Sequence, residues 1–365
     1  MSDTRVVVVG GGVAGAAAGY ALARRGVSVT LVDAGHEGQA TAAGAGIVEP
    51  WSTARDGPFY DLYSVSAERY PTLSEELAEL GIGDIGYRRC GALVVNADAA
   101  VLDEVESRVR ERALTAPLVG ELTRVESAGA RALFPPLAPD LTGLHIAGGA
   151  RVDGRLLRDG LQEALRRLGG TVLAGHAAFA NDSVVLSVDG ARLDADAIVL
   201  AGGAWTNDVL APLGLHVPVE PQRGQISHLR LDGVDTSRWP SLSPVSDHYM
   251  VAFDDRVVVG ATRETGSGFV PRITAAGQRH VLDNALRLAP GLRDATLIET
   301  RVGLRPLASD GLPVIGRFDG HHSLVLVTGF GPSGLTIAPY VGDQVANLVL
   351  GESPSVDLTP FTPSR

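Results

Sequence analysis

Lysine is missing from this sequence: every one of its 31 basic residues is an arginine. That excludes any mechanism needing a lysine, including pyridoxal-phosphate Schiff bases. Cysteine is nearly absent as well. With Cys90 alone, no intrachain disulfide can form and no multi-cysteine metal site exists. Positive charge is in deficit, 31 basic against 42 acidic residues for a net −11 and a pI near 5.3. Such a chain repels phosphate backbones and anionic membrane, which argues against nucleic acid as a partner. No run of about 20 uninterrupted apolar residues marks a membrane span. An uncharged run from Arg5 to Leu22 has the outline of a signal peptide. Against it, Asp3 accompanies Arg5, Gly10–Gly12 breaks the run, and the run continues into a strand; a cytoplasmic address is expected. The nine histidines include no pair with Ser or Cys at catalytic spacing, and His321-His322 reads as a surface turn.

What is present suits two domains. The chain has 365 residues, 45% hydrophobic and 20% charged, with 45 glycines in no regular period. Its opening is the most informative stretch. Val6–Val9 reads as a buried strand, and Gly10, Gly12 and Gly15 follow in G-x-G-x-x-G spacing. The first permits a tight turn, the second lets backbone approach a pyrophosphate, and the third lets helix pack on strand. Helix formers fill Ala14–Arg25 with Gly26 as C-cap, and a second strand, Ser28–Val32, ends at Asp33. That acid is placed to accept both hydroxyls of an adenosine ribose. It would repel a 2′-phosphate, which disfavours NADP and leaves NAD and FAD open.

After Asp33 comes a long small-residue loop where an NAD dehydrogenase would run on into further βαβ units. Residues 57–81 are predicted helical, Tyr87–Asn96 a strand and Leu102–Arg112 a helix. Residues 133–141 read as a Pro-rich loop, followed by a turn and an amphipathic helix ending at Gly169. Strands are predicted at Thr171–Leu173, Ser183–Val188 and Ala197–Leu200, short antiparallel strands over 221–272, and a helix at Ala338–Leu350. The alternation points to a nucleotide domain built from distant segments, carrying a second domain as inserts.

Four stretches resemble the FAD-dependent amine oxidoreductases of the D-amino acid oxidase superfamily, particularly the glycine oxidase and sarcosine oxidase branch. They are the opening unit, "VLAGGAW" (Val199–Trp205), "DRVVVGATRETG" (Asp255–Gly266), and "GLRPLASDGLPVIG" with "TGFGPSGLTIAP" (Gly303–Pro339). The resemblance implies an α/β fold: a Rossmann-like FAD-binding domain from 1–80, 146–220 and 300–365, and a substrate domain with a mixed, largely antiparallel sheet from 81–145 and 221–299. It also implies oxidation of the C–N bond of a small amino acid or secondary amine by hydride transfer to flavin N5. Apart from any resemblance, Gly329, Gly331 and Gly334 let backbone approach something flat, and a helix starting near Thr336 would aim its N-terminus at it. No second G-x-G-x-x-G appears, as an enzyme also binding NAD(P)H in the manner of a disulfide reductase would be expected to have.

The resemblance places Gly10, Gly12, Val13, Ala14, Gly15, Asp33 and Ala34 at the adenosine diphosphate. It places Thr41, Gly46 and Ile47 along the pyrophosphate and flavin, and Ala178 at the adenine through its backbone. Gly202, Trp205, Gly331, Ser333, Gly334, Leu335 and Thr336 border the cofactor. Arg305 stands where that branch holds the substrate carboxylate, and its planar fork suits bidentate pairing. A structural pair with Asp310 is the competing reading. Tyr249 resembles a tyrosine reaching the same carboxylate, or else packs in its strand; Arg263 is a weaker candidate. Three departures stand out. No lysine is available to activate dioxygen, which leaves the acceptor open between dioxygen and a quinone or partner protein. No cysteine lies near Gly303 to tether a flavin, so FAD is expected noncovalent and Cys90 is read as a buried apolar residue in a strand. Glu49 stands about where the sarcosine branch has a basic residue, and either favours a substrate with a second cationic group or is a solvated loop residue. Two other enzyme classes stay open, an NAD(P)H-dependent flavin monooxygenase and a flavoprotein subunit of a multi-chain dehydrogenase. A pure nucleotide-binding regulator would leave Arg305 and Tyr249 idle.

Overall fold

A computed structural model of the chain describes residues 4–180 and 183–365; Asp3, which enters the signal-peptide argument, lies outside them. The chain builds around a six-stranded sheet in the order Val314–Arg317, Leu324–Thr328, Ala197–Leu200, Arg5–Val9, Ser28–Asp33, Thr171–Ala174. All neighbours are parallel except the first pair. A central parallel strand is covered on both faces, hence the unbroken valine run. Val6 and Val8 pack with Ala17, Leu161 and Val341 of the covering helices Val13–Arg24, Gly154–Arg167 and Gly334–Leu350. Val7 and Val9 pack the other way, with Phe179, Leu186 and Leu210.

The first and last helices cross closely because Gly342 has no side chain: a Cβ there would come 2.6 Å from the Ala17 carbonyl carbon. Pro339 sits inside the last helix and cannot donate to the Leu335 carbonyl four residues back. The Tyr70 hydroxyl, from the buried face of helix Gly57–Glu79, donates to that carbonyl instead. So one aromatic residue repairs the backbone bond that proline removes.

The second sheet has eight strands in the order Thr296–Ala308, Val219–Arg230, Val257–Gly260, Tyr249–Ala252, Ser241–Ser243, Ala92–Asn96, Thr142–Ile146, Leu122–Val125. It is antiparallel but for the Ser241–Ser243 and Ala92–Asn96 pair. Several details differ from the sequence reading. The sheet holds a strand of 12 residues where short ones were expected and a strand of 13 residues, Thr296–Ala308, where none was predicted, and both run across proposed domain boundaries. Helices Ser127–Leu133 and Ala275–Leu288 were not anticipated. The predicted strand Tyr87–Asn96 shrinks to Ala92–Asn96: Gly91 has φ +82, and a Cβ there would lie 2.4 Å from His145 Nε2. Cys90 therefore precedes the strand, and it is half-buried rather than buried. The last helix begins at Gly334, a turn before Ala338. Among the described residues no helix is long and apolar enough to cross a membrane.

Candidate functional site

Between the two sheets runs one cavity of about 1200 Å³. Its nucleotide end is made by the opening turn. Gly10 adopts φ +103, and a Cβ there would lie 2.3 Å from the Ala201 carbonyl oxygen. A Cβ on Gly15 would lie 1.9 Å from the Gly10 oxygen, so this glycine serves helix–turn packing and does not line the cavity. Gly12, Val13 and Ala14 do line it, and the Val13 N–H donates to Thr41 Oγ1 at 3.0 Å. Helix Val13–Arg24 has no acid in its first turn, which leaves its positive end unopposed. The Asp33 carboxylate accepts from Gly11 N, from Gly35 N at 2.6 Å and from Gln39 Nε2 at 2.8 Å. With about four lone-pair positions on a carboxylate, one stays unused on Asp33, which lines the cavity.

Ala34 and Ala178 line the same end, with Trp205, whose ring stacks on His36 at 4.6 Å. His36 was not singled out from sequence, since a histidine in a Gly-rich loop carries no local signal. Midway, Gly46 has φ +81, and a Cβ would strike the Val152 oxygen at 1.8 Å. Ile47 pairs with Arg151, and its carbonyl accepts from Thr336 Oγ1 at 2.9 Å, tying this loop to the start of the last helix. Gly202, Gly331, Ser333, Gly334, Leu335 and Thr336 all line this stretch. The last helix, too, has no acid in its first turn.

The far end is built by the second sheet. Arg305 comes from the 296–308 strand opposite Gln222 and donates through Nη1 to the Thr262 carbonyl at 3.1 Å. Its guanidinium lies over Gly224, where a Cβ would come within 2.3 Å of Nη1. The Tyr249 hydroxyl is hydrogen-bonded to it. Burial pulls the Arg305 pKa below its usual value and pushes that of Tyr249 up. No carboxylate among the described residues is within ion-pair distance of Arg305. The Asp310 pairing is thereby corrected: Asp310 binds Arg365, at 2.8 and 3.1 Å, because the chain turns away after Ala308. Arg263 also lines the cavity, paired with Asp247 at 2.9 Å.

Glu49 is not a solvated loop residue. It is 8% exposed and lines the cavity, with its oxygens accepting from Ser52 N at 2.9 Å and Ser52 Oγ at 2.5 Å. Burial raises its pKa to about 7. Nearby Tyr63, hydrogen-bonded to Thr336 and Ser333, is pushed up to about 12 by burial and by Glu49. Tyr63, Arg55 and Arg108 line the cavity as well. Helical periodicity could have flagged only Tyr63; the arginines face inward through packing between segments.

A glycine-turn parallel sheet joined to an antiparallel sheet, with an extended cavity between them, defines a dinucleotide-dependent oxidoreductase. The chain belongs to the FAD dependent oxidoreductase family, which it matches over residues 5–348, and its cofactor is FAD. It is 47% identical in sequence to the crystal structure of iminodiacetate oxidase from Chelativorans sp. BNC1, with a TM-score of 0.95 over 98% of this chain and 99% of that one. It is 42% identical to an uncharacterized oxidoreductase, YurR, of Bacillus subtilis, over 98% of each chain. To a glycine oxidase of Pseudomonas putida it is 32% identical, again over 98% of each. The cavity fits FAD: the Gly10 and Gly46 positions admit no side chain, and two helix N-termini without acids border it.

Proposed function

We propose that the chain oxidises the C–N bond of a small amino acid or secondary amine whose carboxylate is held by Arg305 and Tyr249. The supporting observation is Arg305 itself, a half-buried guanidinium facing the cofactor cavity with a tyrosine hydroxyl beside it and no carboxylate of its own. FAD, when bound, would supply the two-electron acceptor toward which the α-hydrogen leaves as hydride. Arg305 and Tyr249 hold the α-carbon in place for that transfer, and the surrounding sheet excludes water. Loss of hydride from the neutral amine leaves an imine, which water then hydrolyses.

In this reading Gly10, Gly12, Val13, Ala14, Asp33 and Ala34 hold the adenosine diphosphate, with Gly15 acting by packing. Thr41, Gly46, Ile47, Gly202, Trp205 and the 331–336 segment border the rest, and Ala178 meets the adenine. The binding is noncovalent in this reading, and Cys90, which does not line the cavity, offers no thioether tether. The two-domain division keeps the segments given above, with the 219–230 and 296–308 strands joining the halves. Dioxygen or a quinone or partner protein reoxidises the cofactor.

An anaerobic titration of the yellow protein tests this. The panel is glycine, sarcosine, iminodiacetate, proline, and D- and L-amino acids, with NADPH as control. Bleaching of the visible band by an amino acid, with recolouring in air or with a quinone, is the expected result. Reduction by NADPH and by no amine would overturn the proposal in favour of a monooxygenase.

A further inference from the structure

Four arginines line the cavity, and only Arg263 has an ion-pair partner among the described residues. Arg305 is accounted for above; Arg55 and Arg108 are not. Each spends a single N–H on a main-chain carbonyl: Arg55 Nη1 on Gly311 at 2.9 Å, Arg108 Nη1 on Ser52 at 3.1 Å. The Nε and Nη2 groups of both make no hydrogen bond within the described chain. A guanidinium with these two donors free presents the fork that matches a carboxylate.

The surroundings hold this wall in place. The Arg55 guanidinium lies 3.5 Å over the Phe59 ring. The loop beneath is clamped by Arg112, 7% exposed, which donates to Trp51 O and Thr53 O at 2.7 Å, to Arg55 O at 2.9 Å and to Asp56 Oδ1 at 2.5 Å. Asp310 is near enough to favour the charge on Arg55, but no acid among the described residues forms an ion pair with either arginine. Glu49 is engaged by Ser52, Asp310 by Arg365, and Glu104, one turn before Arg108, makes no ion pair with it. A partly desolvated cation without a counter-ion is costly, and a bound anion offsets that cost. In a chain of net charge −11, two cavity arginines without an ion-pair partner are suited to an anion.

We infer that Arg55 and Arg108 form a second carboxylate-binding site, so that the substrate is an amino acid carrying two carboxylates, one on Arg305 and the other on this pair. The inference rests on the reading that Arg305 takes the first carboxylate. It replaces the expectation that Glu49 selects a second cationic group.

The test uses FAD-loaded enzyme and two ether probes without an oxidisable amine, methoxyacetate with one carboxylate and diglycolate with two. Binding is followed by perturbation of the flavin spectrum. Diglycolate should bind wild-type enzyme more tightly than methoxyacetate. Arg55→Met or Arg108→Met should weaken diglycolate about 10-fold while leaving methoxyacetate nearly unchanged. Arg305→Met should weaken both. Retained flavin absorbance shows that each variant is folded, and Arg55→Gln serves if Arg55→Met is not. If methoxyacetate binds through Arg305 but diglycolate gains nothing and neither arginine variant changes the ratio, the second site is overturned alone. If neither probe binds wild-type enzyme, the carboxylate clamp fails and the second site with it.

Discussion

The position of Arg305 depends on a residue it does not bond to. Gly224, on the neighbouring strand, leaves room for the guanidinium where it lies, since a Cβ would come within 2.3 Å of Nη1. Gly224→Ala is therefore expected to displace the clamp and lower kcat/KM about 10-fold or more, with FAD content unchanged. Steady-state kinetics beside a flavin spectrum would show it; loss of FAD instead would mean the damage is global. Glu49 makes a second residue-scale prediction. Its folded pKa of about 7 lies above the ordinary glutamate value of 4.5. The native protein thus binds more protons than the unfolded chain between those values, and stability from this group falls as pH rises through the window. Glu49→Gln should match wild type at about pH 5 and exceed it at about pH 8, by on the order of 3 kcal/mol. Thermal melts of the holoprotein at both pH values measure this, and equal melting differences at the two would exclude it.

At the scale of elements, the last helix carries its own defect and its own repair. Pro339 leaves the Leu335 carbonyl without an N–H donor, and the Tyr70 hydroxyl fills the place from another helix. Tyr70→Phe keeps the ring and leaves a buried acceptor unsatisfied, a loss of about 1–3 kcal/mol. Denaturant titration should show that loss; an unchanged midpoint would mean that water or a neighbour substitutes. The proline is visible in the sequence, inside the helix predicted from Ala338. Its compensation comes from Tyr70, 265 residues before Leu335 along the chain, and no local pattern announces it.

At the scale of the whole molecule, the cofactor cavity draws on the opening turn, the 40–47 loop, the 201–205 turn, the second sheet and the start of the last helix. FAD should therefore act as a brace between the two sheets. Removing it is expected to cost about 2.7 kcal/mol of stability relative to a hundredfold excess over Kd, so that Tm falls in a concentration-dependent way. A Tm insensitive to added FAD would show that the sheets hold each other without it.

What the sequence determined by itself is the nucleotide end. Strand, glycine turn, helix, second strand and Asp33 follow one another within 33 residues, so each is dictated by local sterics and by a hydrophobic run buried on both faces. Arg305 and Tyr249 were legible as candidates only through resemblance, and the Asp310 alternative stayed open because the course of the chain after Ala308 has no local signature. Tertiary structure decided the other end. Arg55, Arg108, Gly224, Tyr249 and Arg305 lie on separate segments, and only strand register and helix packing bring them to one cavity. Whether an arginine faces a carboxylate, a carbonyl or a substrate depends on which neighbours it meets there, and that is a property of the fold.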